Sequence, residues 1–468
     1  MSTQKPSLAK GTVEGKPATL HFDDHGLHCS RGQGNGTEWT IQKQNIISVT
    51  QADLLKDGHS LLYTVENARP KDGDGASPLS FESMRAPHLP PRLAKEFKPS
   101  EQCYWVGPRE LASFVKGHVI ISTGSGTGLA SDIFSQLVEP VLHNLGLFAG
   151  EHFSTHTTSS DTSVAQYTRD FILPDANDGV QQSVLLLSGD GGIVDIVNTL
   201  LSEKRTNWFT KPKISLLPLG TGNALANSSG ITGDNTMGLR TMLQGTPKQL
   251  PLFRAIFSPG ARLLVNEGRE ERPLQGEIDD RPVAHGAVVC SWGHHATLVA
   301  DSDTTEYRKF GAERFKMAAM EALFPSDRSP PHAYKGQVSV RRSGEGAWEV
   351  IGTNEHGYVL ATFVNQLEAG FTISPASKPL DGKLRLVHFG NLNGQEAMDV
   401  MSKAYQGGKH VEDERVGYKE IEALKIVFEE EEARWRRVCV DGKIVRVEKG
   451  GCVEVRPIED GAFDLVAR

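Results

Sequence analysis

Cysteine is scarce in this chain: five among 468 residues, at 29, 103, 290, 439 and 452, with no CxxC pair. An odd, scattered set excludes a disulfide framework and a cysteine zinc site, and reads as reduced packing thiols. No apolar run approaches the roughly 20 residues that span a bilayer, and the opening MSTQKPSLAKGTVEGK has no apolar signal core, so the chain is expected to be cytoplasmic. A basic excess is missing too. With 50 Lys and Arg against 58 Asp and Glu the net charge is −8, which argues against a general binder of nucleic acid. The His294-His295 pair has no third ligand at suitable spacing, so no resident metal is expected. There is neither a lipidation motif nor a polybasic tail.

What is present suffices for several cores, with 38% of residues apolar. Residues 1–66 carry short alternating runs (ATLHF, TEWTI, SLLYTV) between Gly, Asp and Asn, the pattern of a small antiparallel β module. Residues 67–115, rich in Pro, Gly and charge, read as a linker. From 116 to 245 three apolar runs, HVII, VLLL and ISLL, each enter a glycine-rich turn, and helical spacing of apolar residues follows the first two. Apolar strands alternating with amphipathic helices predict a parallel α/β sheet covered on both faces. Residues 246–468 hold closely spaced strand signals (GAVVCSW, YVLATFV, ALKIVF, CVEV), expected to form a mainly antiparallel β-sandwich domain. The FEEEEARWRR run in this part reads as a charged, solvated hairpin.

The three turns are Ser122-Thr123-Gly124-Ser125-Gly126-Thr127-Gly128, Ser188-Gly189-Asp190-Gly191-Gly192 and Pro218-Leu219-Gly220-Thr221-Gly222-Asn223. Glycine at the carboxyl end of a parallel strand lets the main chain approach a ligand, and the helix that follows offers free N–H groups to anionic oxygens. One such turn is ordinary strand-to-helix geometry; three at one end of one sheet suit a phosphate ligand. The first lacks the lysine of a Walker A motif. Asp190, the carboxylate inside the second turn, calls for a proton-transfer or metal role, or else caps the helix that follows it. Asp195, farther along that helix, faces either the same cleft or solvent.

SGDGGIVDIVNTL (188–200) and PLGTGNALANS (218–228) resemble the diacylglycerol kinase catalytic superfamily, and within it the sphingoid-base kinases most. SWGHHATLVADSDTTEYRKFGAERF (291–315) and VDGK (440–443) are similar to later landmarks of those kinases, so the resemblance covers roughly residues 116–460. It implies an α/β nucleotide domain of the NAD kinase and diacylglycerol kinase type, with ATP and Mg²⁺ in a cleft against the β-sandwich. It also implies transfer of the γ-phosphate to the primary hydroxyl of a sphingoid base, with diacylglycerol or ceramide as alternatives. Asp190 would be the base. Nucleotide contacts would come from Ser122, Thr123, Gly124, Thr158, Gly189, Gly191, Asp195, Gly220, Thr221, Gly222 and Asn223. From the second domain Arg308, Arg314, Asp441, Gly442 and Lys443 would join them. Ser188 and Asp301 would meet the lipid, Asp301 through a cationic amine. The lipid would be taken from a membrane surface, with the N-terminal module as recruiter; no protein partner is identifiable.

Two departures stand against this pattern. Ser122-Thr123 replaces a usual Asn-Pro, and Lys443 stands where related kinases carry Glu. A catalytically silent lipid-binding protein of the same fold is the rival reading, and a kinase of a soluble substrate related to the NAD kinases a third.

Overall fold

The computed structural model describes residues 9–13, 16–31, 38–51, 58–67, 77–106, 115–126, 128–311, 313–342, 344 and 346–468; Thr127 lies outside them, as does the side chain of Arg308. Four strands of the α/β sheet are parallel neighbours of one another: Phe153–Thr157, Val115–Ile121, Gln181–Ser188 and Lys213–Pro218 lie side by side in that order. Val184 to Leu187 are wholly buried because helices cover both faces. The chain leaves Val115–Ile121 toward one edge and then returns to its other side, so the order reverses between Val115–Ile121 and Gln181–Ser188. Ligands of open α/β sheets bind at that reversal, beyond the carboxyl ends of the strands.

The sheet also recruits strands from beyond its expected limit at residue 245. Thr246–Gln249 and the C-terminal Asp464–Ala467 pair with each other, and the latter runs parallel to Lys213–Pro218. Phe463 and Leu465 are wholly buried there. The intervening chain forms one antiparallel sheet of 15 strands among the described residues. Its two halves join where Tyr334 and Lys335 pair with His356 and Glu355, and the sheet curls around a core that includes Phe253, Trp292, Tyr334, Val359 and Phe428.

The N-terminal part differs from expectation in extent. Strands Ala9–Val13, Lys16–Phe22, Gly26–Arg31 and Glu38–Gln42 form one sheet, and Ile46–Gln51, His59–Glu66 and Leu79–Ala86 a second. Leu79–Ala86 and the short helix Pro91–Glu96 fall in the segment read as linker. Met84, Leu89, Leu93 and Phe97 pack with Leu20, Leu27 and Leu61 in one core, so a stretch whose average composition is polar still supplies an apolar residue wherever one faces inward. The module is bolted to the α/β domain: Arg240, on the helix Leu239–Gln244, donates to the Ile46 carbonyl at 2.6 Å and the Lys43 carbonyl at 2.7 Å.

Candidate active site

All three glycine turns emerge at the carboxyl ends of their strands, and they touch main chain to main chain. A Cβ on Gly189 would stand 2.7 Å from the Gly220 Cα, and one on Gly220 would stand 2.6 Å from the Gly189 Cα. Gly126, at φ +53°, packs on the Leu219 carbonyl so closely that any Cβ would collide with it. Only glycine permits this approach. Gly124 and Gly191, by contrast, are exposed and have no neighbour where a Cβ would be. These two open positions are where an anionic ligand can reach the main chain.

Polar side chains brace the turns. Thr158 Oγ1 accepts from Thr123 N–H at 3.0 Å, and Thr123 Oγ1 donates to the Thr158 carbonyl at 2.8 Å. Ser188 is buried, its hydroxyl 3.0 Å from that of Ser125. Asn223, at φ +50°, accepts from Gly220 N–H at 2.8 Å and donates to the Gly220 carbonyl at 2.9 Å, closing its own turn. Thr158, Ser188 and Asn223 thus shape the loops from behind, while Ser122, Thr221 and Gly222 are half-buried at the cleft.

Asp190 opens the helix Asp190–Ser202, yet it does not cap that helix. Its carboxylate crosses to the third turn, where Oδ2 accepts from Ala224 N–H at 2.7 Å and Oδ1 from Leu225 N–H at 3.1 Å. These are orphan donors at the start of the helix Ala224–Ser228. Each oxygen keeps a further lone pair. Desolvation raises the carboxyl above its ordinary value against the pull of the two N–H groups, the direction that suits a proton acceptor.

The other wall of the cleft comes from the curled sheet. Strands Arg437–Val440 and Lys443–Arg446 are joined by a two-residue turn, Asp441-Gly442, with φ of +48° and +87°. An Asp-Gly pair with both φ positive is the preferred hairpin connection. The turn aims the Asp441 carboxylate inward, where it accepts from the N–H groups of Ala287, Val288 and Val289 at 2.5, 3.0 and 2.6 Å. Burial outweighs those donors and pushes Asp441 up to about 7, with the negative charge of nearby Asp190 acting in the same direction. Asp441 is therefore held by its own domain.

Lys443 Nζ reaches across to Asp195 Oδ1 at 2.9 Å, joining the two walls. Burial opposes its charge, but Asp195, with Asp161 and Asp303 beyond, holds the ammonium above its ordinary value. Arg314 Nη1 lies 3.3 Å from Asp303 Oδ1, on the same side. Asp301, expected to meet the lipid, is already paired. It is clasped by two guanidinium groups, Arg434 Nη2 and Arg437 Nη2, each at 2.9 Å. The acidic and basic run that contains Arg434 is solvated only in part: Glu429, Glu431, Glu432 and Arg434 are exposed. Glu430 and Arg436 are buried, Arg436 donates to the Glu430 and Val447 carbonyls, and Trp435 stacks on His332 with ring centroids 3.9 Å apart.

Comparison with known proteins bears on the first wall. Residues 116–255 match the diacylglycerol kinase catalytic domain. The matched segment takes in all three glycine turns and Asp190. No curated protein sequence matches the chain. A solved protein assigned as a diacylglycerol kinase, from Bacillus anthracis str. Sterne, is 15% identical with a TM-score of 0.50, covering 75% of this chain and 97% of its own. A second structure so assigned from the same organism gives 14%, 0.50 and the same coverage. Both share the fold. The matched segment thus holds the three turns and Asp190, whereas Lys443, Asp441 and Asp301 come from beyond it.

Proposed function

We propose that the protein is a lipid kinase that transfers the γ-phosphoryl group of ATP to a lipid hydroxyl. The observation that carries this reading is the meeting of three glycine turns at the sheet reversal, with Asp190 fixed between the second and third, in a segment that matches a diacylglycerol kinase catalytic domain. In this reading the open main chain at Gly124 and Gly191 receives phosphate oxygens, and the N-terminus of the helix Asp190–Ser202 favours their charge. Asp190 takes the proton of the attacking hydroxyl, and Lys443 and Arg314 counter the charge of the phosphates. Among the described residues no group of three His, Cys, Asp or Glu side chains is arranged to hold a metal. Protein donors alone therefore do not fit a resident Mg²⁺, and no step is routed through one.

The acceptor is the finer question. A sphingoid base would need a carboxylate free to hold its amine, and Asp301 is engaged by two arginines. That pairing favours an uncharged lipid alcohol, diacylglycerol or ceramide. The lipid arrives from a membrane surface; no helix among the described residues is long and apolar enough to cross one. Incubation with γ-³²P-ATP and separate vesicle preparations of diacylglycerol, ceramide and sphingosine tests the reading. Label is expected in an uncharged lipid and scarcely in sphingosine, and Arg434→Gln with Arg437→Gln is expected to raise the sphingosine signal. Label in no lipid, from folded protein, would favour the silent lipid-binding alternative.

A further inference from the structure

Asn198 lies about two turns beyond Asp190 on the same helix, half-buried, and commits its amide to one residue of the other domain. Nδ2 donates to the His285 carbonyl at 2.9 Å, and Oδ1 accepts from His285 N–H at 2.8 Å. Nδ2 also donates to the Val194 carbonyl at 2.9 Å, which fixes the side chain to its own helix. Both main-chain groups of His285 are thereby satisfied by a single side chain, so the strand Arg281–Gly286 can neither slide nor tilt on the helix without losing both bonds. The next residue, Gly286, leaves room first for the Phe253 ring and then for Asp441: a Cβ there would collide with Phe253 Cζ and stand 3.0 Å from Asp441 Oδ2. The three residues after it donate to that same carboxylate.

A closed circuit results, from Asp190 along its helix to Asn198, across to His285, through Gly286 to Val289, into Asp441 and back to the neighbourhood of Asp190. We infer that Asn198 is a positioning residue, which sets the segment His285–Val289, and with it Asp441 and the second wall of the cleft, relative to Asp190. Main-chain bonds at both partners make the setting independent of the side chain at 285. The inference rests on the kinase reading for its effect on rate, though not for its geometry.

The test uses the full chain with Asn198→Ala and Asn198→Asp, the latter keeping the acceptor and losing the donor. For Asn198→Ala, kcat for lipid phosphorylation is expected to fall by about tenfold or more, as misplacement of reacting groups dictates. KM for ATP is expected to stay within about twofold, and the amides of residues 286–289 to exchange faster with solvent. Asn198→Asp sets an oxygen against the Val194 and His285 carbonyls, so it is expected to lose at least as much as Ala on both readouts, and it carries the test if Asn198→Ala does not fold. Unchanged exchange at those amides overturns the inference, as does faster exchange with kcat within about twofold of wild type. If the wild type labels no lipid, the kinase reading falls, while the exchange measurement still decides whether Asn198 sets the segment.

Discussion

The two walls of the cleft are built from different atoms. On the α/β side the chain presents main chain, at Gly124 and Gly191, on turns that meet at Gly126 and Leu219 and at Gly189 and Gly220. On the curled-sheet side it presents charge, at Lys443, Asp441 and Arg314, each already answered by a partner. The difference teaches where tolerance lies. Where its turns meet, the main-chain wall has no slack, because an added methyl group there meets backbone that cannot rotate away. A wall of long side chains can re-pair, lose a contact to water, or exchange a partner for a ligand.

Substitutions in the glycine turns should break the comparison most strongly. Gly220→Val drives a side chain into the Gly189 main chain, and is expected to cost about 1–3 kcal/mol of stability by overpacking and about 100-fold or more in phosphoryl transfer. Gly124→Ala, with nothing within 4 Å of the new Cβ, is expected to change stability by less than about 0.5 kcal/mol. Denaturant melts with activity assays check both; equal stability for the two variants would mean that the turns do not meet as described.

Asp441 comes next. Asp441→Ala strands three buried N–H donors, and is expected to cost at least about 2 kcal/mol. The pH dependence sharpens the point. Asp441 rises from an ordinary 3.8 to about 7 in the folded protein, so between those values the folded state holds a proton that the unfolded state has released. Its contribution to stability is present at the acid end of that window and is lost as pH rises through about 7. Across the window, wild-type stability should therefore fall with pH relative to that of Asp441→Asn; parallel profiles would refute the assignment.

The smallest effect is expected at Lys443. Its side chain is 38% exposed, so Lys443→Ala should cost no more than about 1 kcal/mol of stability while raising KM for ATP. Lys443→Glu, which adds a fourth carboxylate near Asp161, Asp195 and Asp303, should raise it further. Steady-state kinetics at fixed lipid separates the three proteins.

The same contrast explains what could be read from sequence. The glycine turns are local: each follows its own apolar strand, so the α/β fold and the gathering of the turns at one end of its sheet were legible between residues 116 and 228. That Asp190 braces Ala224 and Leu225 rather than its own helix was not, because the donors lie 34 and 35 residues on. The second wall is non-local throughout. Asp441 meets Ala287 across 154 residues and Arg434 meets Asp301 across 133, and nothing near either residue announces the partner. The Asp-Gly pair announced a turn but not its cargo. Asn198 stands in the helix after the Ser188–Gly192 turn, and its partner is main chain, which no side-chain pattern can signal. The strand Leu79–Ala86 was hidden by the polar average of its surroundings, although Leu79, Met84 and Ala86 are buried.

The most direct measurement is transfer of label from γ-³²P-ATP to an uncharged lipid by wild type and by Asp190→Asn, at matched concentrations of protein whose folding is confirmed by melting. If Asp190 is the proton acceptor of this cleft, the variant retains ATP binding while its rate falls by about 10²- to 10⁴-fold; a variant that transfers phosphate at the wild-type rate would contradict the account.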